Sequence, residues 1–363
     1  MKKIAVMLLA GLLLLSLVAC SSGTAAKTTA TAATTASETT AAAAAASGST
    51  AAAATASGST AAAKSINLGL ANINEKATFG KLVKMGFENA CKAKGWTLTY
   101  MDNNSDGAQA VQNAELLVQN KVDFIVDLNV DQSVADTIVG IVGDAKIPML
   151  AVDIAMGDTP FFGCNSQAMG ELSGTYASKW IKENWNGELD YAVFFTAIAS
   201  GDEVQKRCRA AGDVLKADGI KIGETVEIEA QNDTAVAQQR FADFLTAHPD
   251  AKKIACFTIN ENPATGALAA AITANRADNM RIFSCGVGSQ FVDTLYEAKG
   301  DTSWISSVAV FPEKYGEQIC KIVENYESGT PLAAVTDCEM ASVDWTNISQ
   351  YYPEDNLPWE KLS

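Results

Sequence analysis

Histidine is almost absent: His248 is the single copy in a chain of 363 residues. A serine-hydrolase triad or a histidine-rich metal centre therefore has no material, since both need imidazole as base or ligand. Cysteine occurs eight times but never as C-x-x-C, so neither a zinc site nor a small disulfide framework is indicated. The seven beyond Cys20 (Cys91, Cys164, Cys208, Cys256, Cys285, Cys320 and Cys338) stand singly and read as small buried hydrophobes. Positive charge is short: 27 Lys and Arg against 42 Asp and Glu leave a net charge of -15. That balance argues against nucleic acid as a partner and against a basic membrane-binding patch. Glycine signatures are missing too, with no G-x-G-x-x-G after the first strand pattern, no Walker loop and no G-x-S-x-G elbow. The carboxylate pair Asp123 and Asp127 falls inside a strand pattern and reads as structural. No enzyme activity, cofactor or metal is expected.

The N-terminus carries an address. Lys2 and Lys3 precede an apolar run from Leu8 to Val18 that is too short to span a bilayer comfortably, and Leu17-Val18-Ala19-Cys20 has the form of a lipobox. The expectation is that residues 1–20 are a signal, cut before Cys20, whose thiol carries diacylglycerol. The mature chain would then be lipid-anchored on the extracytoplasmic face of the cell membrane. Residues 21–64 are almost wholly Ala, Thr, Ser and Gly without an aromatic residue. Such a segment buries too little apolar surface to offset its ordering entropy, so a disordered tether is predicted.

From residue 65 onward strand and helix patterns alternate. Strands are predicted at Ile66–Ile73, Trp96–Met101, Phe124–Leu128 and Met149–Val152, with helical apolar spacing between them. The rhythm resumes after Asn165, with strands at Tyr191–Thr196, Thr225–Glu229, Lys253–Ile259 and Arg281–Ser284. Two such arrays imply an α/β fold of two doubly wound parallel-sheet, Rossmann-like lobes. In that architecture ligands meet the loops at the carboxyl ends of strands. Those loops hold Asn74, Asn103, Asn129, Asp153, Asp202, Asn232 and Asn260, whose side chains pair well with hydroxyls. The same residue types also cap helices and form turns, so each taken alone is open between the two roles.

Several motifs in order carry a family resemblance. They are F-x-x-L-V-K-M-G-F-E-N-A from Phe79, V-D-F-I-V-D-L-N from Val122, I-P-M-L-A-V-D from Ile147 and R-A-A-G from Arg209. F-L-T-A-H-P-D-A from Phe244, N-E-N-P-A-T-G-A-L from Asn260 and F-P-E-K-Y-G from Phe311 complete the set. Over Ile66 to about Asp344 the chain resembles type I periplasmic binding proteins of the ribose and galactose class, the solute receptors of sugar ABC importers. The resemblance implies a three-crossing hinge near Asn165, Val310 and Thr336. Residues 65–165 plus about 311–335 would form the N-terminal lobe, and 166–310 plus about 336–344 the C-terminal lobe, with 345–363 as a tail laid over a domain.

The resemblance also implies ligand positions: Phe79 stacking on a sugar ring, Asn129 and Asp153 from the first lobe, Arg209 and Asn260 from the second. Asn74 and Asn232 join them as loop residues at strand ends. Four departures stand against a ribose or galactose specificity. Ile154 replaces an Arg after Asp153, Cys285-Gly286 replaces an Asp, Val310 replaces a polar residue, and Asn232 stands where an aromatic is common. A less polar or differently oriented ligand follows, and Trp304 or Phe162 is available for stacking but reads more simply as core. The implied partners are a small carbohydrate and the permease subunits of an ABC importer, with the receptor itself a monomer. A receptor presenting its ligand to a membrane sensor, or a nucleoside-binding lipoprotein, would show the same binding half.

Overall fold

The computed structural model describes residues 65–129 and 131–362; Cys20, the expected signal and the expected tether lie outside the described residues. The chain runs β1 (Asn67–Asn72), α1 (Thr78–Lys94), β2 (Thr97–Asp102), α2 (Gly107–Gln119), β3 (Phe124–Asp127), α3 (Ala135–Asp144), β4 (Met149–Val152) and β5 (Phe161–Gly163). It continues α4 (Ser166–Trp185), β6 (Glu188–Thr196), α5 (Asp202–Ala217), β7 (Lys221–Glu229), α6 (Thr234–Ala247), β8 (Ile254–Thr258), α7 (Glu261–Thr273), β9 (Met280–Cys285), α8 (Ser289–Glu297) and β10 (Trp304–Ala309). The last elements are α9 (Tyr315–Glu327), β11 (Val335–Asp337), β12 (Ala341–Asp344) and the single turn α10 (Ile348–Tyr351).

Two six-stranded sheets result, ordered β11-β5-β4-β3-β1-β2 and β12-β10-β9-β8-β6-β7. Every pairing is parallel except β10 with β12. Parallel strands need helical crossovers and so lie buried on both faces, which is why Phe124-Ile125-Val126 of β3 and the whole of β4 read as apolar runs. Leu68, Leu70, Val126 and Val152 meet α1 and α9 on one face of the first sheet, while Ile125, Ala151, Ala114 and Ile138 fill the other. The second sheet repeats this, with Phe195, Phe241 and Ile282 on one side and Phe194, Phe257 and Leu215 on the other. The two lobes are the predicted fold class. The chain passes between sheets after β5, after β10 and between β11 and β12.

Helix starts are fixed by side chains that satisfy the free N–H groups of the first turn. Asp106, Asn165 and Asp233 accept from Gln109 N, Ala168 N and Val236 N at 2.8, 3.0 and 2.9 Å. Closely approaching helices depend on missing side chains. A Cβ on Gly170 of α4 would lie 2.3 Å from the Arg207 carbonyl oxygen of α5, so this glycine sets how near α5 can come. The tail packs on the second lobe: Ile348, Tyr352 and Leu357 join its core, and Tyr352 stacks between Phe311 and Trp359.

Candidate functional site

Asp153 follows β4 and has a left-handed backbone, φ +58°. Its amide donates to the Phe162 carbonyl at 2.9 Å, and its Oδ1 accepts from Cys164 N at 3.2 Å and from Tyr315 Oη at 3.1 Å. Gly163 makes room for this turn, since a Cβ there would sit 2.7 Å from Asp153 Oδ1. Burial pushes the Asp153 carboxyl up to about 6, against the pull of the Cys164 N–H, the Tyr315 hydroxyl and the Arg207 guanidinium. Tyr315, fully buried at the start of α9, lies edge-on to Phe79 at 6.0 Å and to Phe162 at 5.1 Å. Phe79 itself remains partly exposed.

The opposing cation is Arg207 on α5. It donates from Nη1 to the Ile259 carbonyl at 2.8 Å, from Nη2 to Cys164 Sγ at 3.3 Å and from Nε to Ser166 Oγ at 3.4 Å. These bonds hold a guanidinium of the second lobe against the first crossing. Asp153 and Arg207 both line a cleft of about 670 Å³, together with Cys164, Ser166, Phe161 and Asp337. That volume suits a small organic ligand.

Arg209, the expected cation, is not there. Its guanidinium is about half exposed and pairs with Asp202 at 2.5 Å, on the rim of a separate groove of about 400 Å³ between α5 and β6–β7. Two residues along a helix turn about 200°, so neighbours at i and i+2 face opposite ways. The pattern held the answer: Val204, Cys208, Ala211 and Leu215 form the buried stripe of α5, and Arg207 flanks it between Val204 and Ala211. Tyr315 was likewise overlooked, although it lies within F-P-E-K-Y-G.

The asparagines divide. Asn260 Nδ2 donates to Asn232 Oδ1, joining the ends of β8 and β7, while Asn260 Oδ1 caps α7 through Asn262 N at 3.2 Å. Asn129, 2% exposed, spends both ends of its amide on Asp131, donating to O at 2.7 Å and accepting from N at 3.0 Å. Asn74 accepts from Lys76 N and Ala77 N and donates to Ser105 Oγ, which shapes its own loop. Both therefore act as turn formers in this state. Trp304 and Phe162 are core residues, at 0% and 1% exposure, with Trp304 Nε1 donating to Ser284 Oγ at 2.8 Å. Two of the substituted positions, Cys285 and Val310, lie in a buried, sulfur-rich cluster with Val308, Met169, Cys164 and Met340, of which Cys164 alone lines the cleft. Among the described residues no group of His, Cys, Asp and Glu is arranged to hold a metal ion.

Residues 68–331 match the family described as "Periplasmic binding protein domain". The chain belongs to this family. Solved structures agree on the type I fold of its two lobes. A glucose-galactose binding protein from Geobacillus stearothermophilus is 18% identical with a TM-score of 0.63, covering 78% of this chain and 99% of that one. An ABC transporter periplasmic solute binding protein from Actinobacillus succinogenes with bound D-allose is 18% identical with a TM-score of 0.65, covering 79% and 100%. A solute binding protein from Bacillus halodurans with bound myo-inositol is 18% identical, TM-score 0.62, covering 79% and 96%. Among curated proteins none matches the sequence. Periplasmic binding proteins are non-enzymatic components of transport, and no helix among the described residues is long and apolar enough to cross a membrane.

Proposed function

We propose that this protein is the lipid-anchored solute receptor of an ABC importer, taking a monosaccharide or polyol between its lobes and presenting the closed form to a permease. The observation that carries the reading is that a buried carboxylate from one lobe and a buried guanidinium from the other, Asp153 and Arg207, line one cleft. Charge-assisted bonds from both to a ring of hydroxyls favour the closed state only when ligand touches both walls. Phe79, partly exposed and edge-on to Tyr315, is outside the lining of that cleft, and the family resemblance assigns it the C–H side of the ligand. The neighbours that hold D-allose and myo-inositol support a monosaccharide or polyol as the ligand class. Cys20 supplies the anchor, and the lobes are assigned as 65–165 with about 311–335, and 166–310 with about 336–344.

The test is isothermal titration of the chain from Ser65 against monosaccharides, polyols and nucleosides. A saturable sugar or polyol signal that disappears in Asp153→Ala supports the reading. Binding of a nucleoside alone would replace the ligand class, and heat from sugars that survives both Asp153→Ala and Arg207→Ala would place binding elsewhere. For the anchor, intact mass of membrane-extracted protein is expected to show Cys20 at the N-terminus carrying acyl groups, and Cys20→Ala is expected to abolish that mass.

A further inference from the structure

We infer that Cys164 and Cys338 are a built thiol pair that closes to a disulfide across the hinge. The two residues are 174 positions apart in sequence, yet strand pairing brings them side by side. β5 and β11 run parallel with Phe161, Phe162 and Gly163 opposite Val335, Thr336 and Asp337. Cys338 N donates to the Gly163 carbonyl at 2.8 Å, which completes the Gly163–Asp337 pair at the end of both strands. Continuing the register by one residue past this last pair sets Cys164 opposite Cys338. In-register neighbours on parallel strands lie about 4.8 Å apart and project to the same face, which is inside the Cα separation a disulfide spans. Both side chains meet the same apolar cluster beneath α9, and Tyr315 ties them together: its Oη contacts Cys338 Sγ at 3.8 Å and Asp153 Oδ1 at 3.1 Å, and Asp153 Oδ1 accepts from Cys164 N.

The location gives the bond a purpose. Cys164 stands at the first crossing between lobes and Cys338 at the third, so a bond between them welds two of the three connecting strands. Cys164 also lines the cleft and is partly exposed, while Cys338 is 4% exposed. A small disulfide reagent thus reaches Cys164 first. The Cys164 thiolate attacks one sulfur of the reagent and expels one thiolate, and Cys338 then attacks Cys164 Sγ in the mixed disulfide and expels the second. Two protein thiols become one disulfide, the reagent's disulfide becomes two thiols, and the two protons leave with them. Burial pushes both thiols upward in pKa, to about 12 for Cys338, so closure is slow at neutral pH and faster in mild alkali. Oxidation also withdraws Cys164 Sγ from Arg207 Nη2, its present partner at 3.3 Å.

The experiment treats the full-length protein with oxidised glutathione at about pH 8, blocks remaining thiols with iodoacetamide, and maps the unreduced digest by mass spectrometry. The expected product is a linked peptide pair holding Cys164 and Cys338, lighter by two hydrogens, with a thermal midpoint several degrees above that of the reduced protein. Cys338→Ser should instead stop at a glutathione adduct on Cys164 without the rise in midpoint. Cys285→Ser should leave the cross-link intact, which guards against a loss caused by misfolding of one variant. A stable glutathione adduct on Cys164 in the unaltered protein, a Cys164–Cys285 link, or full alkylation of both Cys164 and Cys338 would overturn the inference.

Discussion

At Asp153 the backbone occupies the left-handed region and a carboxyl is taken out of water, two destabilising features in one turn residue. Strain and burial of this kind persist where surrounding structure over-determines them, and here Gly163, Cys164 and Tyr315 do so. The raised carboxyl titrates near 6, so binding that requires the ionised form is expected to tighten as pH rises from about 5 to 7.5, by up to roughly tenfold. A pH-independent affinity, measured by titration calorimetry, would contradict that role. Arg207→Ala is expected to weaken ligand binding by about 100-fold or more, since it leaves Asp153 and the ligand's hydroxyls without the opposing cation. Arg209→Ala, on the outer face of α5, is expected to leave affinity within about twofold. The reverse ranking would restore the expectation drawn from the R-A-A-G motif alone.

Asp127 makes a second residue-scale prediction. It is fully buried, its Oδ1 accepts from Asn103 at 3.3 Å, its Oδ2 has no partner, and burial raises it to about 7. A carboxyl raised above its unfolded value favours the folded state below about 4 and loses that contribution as pH climbs through about 7. Denaturation midpoints should therefore fall between pH 4 and 7, and Asp127→Asn should flatten that slope by several degrees. An unchanged slope would show that Asp127 is ionised in the fold.

At the scale of elements, the position of Arg207 is decided by glycine. Gly170 and Gly174 on α4 face α5, and a Cβ at Gly174 would come 2.8 Å from Ala211 Cα. Gly170→Ala pushes against the backbone of Arg207 itself, so a loss of about 1–3 kcal/mol in stability is expected, accompanied by weaker ligand binding. Gly140→Ala in α3 is the control: a Cβ there meets nothing within 4 Å, and helix propensity predicts a gain of about 0.5–1 kcal/mol. Denaturant midpoints of both variants check the pair. Equal effects would mean that α4 and α5 adapt freely.

The elements also mark how far the chain could be read without coordinates. Met149–Val152 was placed to the residue, and β3, β8 and β9 to within a residue or two, because buried parallel strands announce themselves as apolar runs bounded by helical spacing. In the second lobe β6 and β7 begin three and four residues before the expected Tyr191 and Thr225, because their first residues are largely exposed and carry no apolar run. β5 and β11 were not, since three-residue strands hold too little period to recognise, and with them went the neighbourhood of Cys164 and Cys338. Within the candidate site, Asp153 is marked in the sequence by its place after a strand. Arg207 was missed because a motif match outweighed helical phase, and Tyr315 because its contribution is a contact across 162 residues.

The whole molecule is two lobes joined by three short crossings, with cleft walls that belong to different sheets. Such a body is free to close by rotation at the crossings while each sheet stays rigid. Phe311, held at φ +50° and buried against Tyr351 and Tyr352 beside the second crossing, anchors the tail where that rotation would occur. Small-angle scattering of the chain from Ser65, with and without its best sugar or polyol, tests the clamp most directly. A smaller radius of gyration is expected with ligand, and no change in Arg207→Ala. A radius unaltered by saturating ligand in the unmodified protein would contradict it.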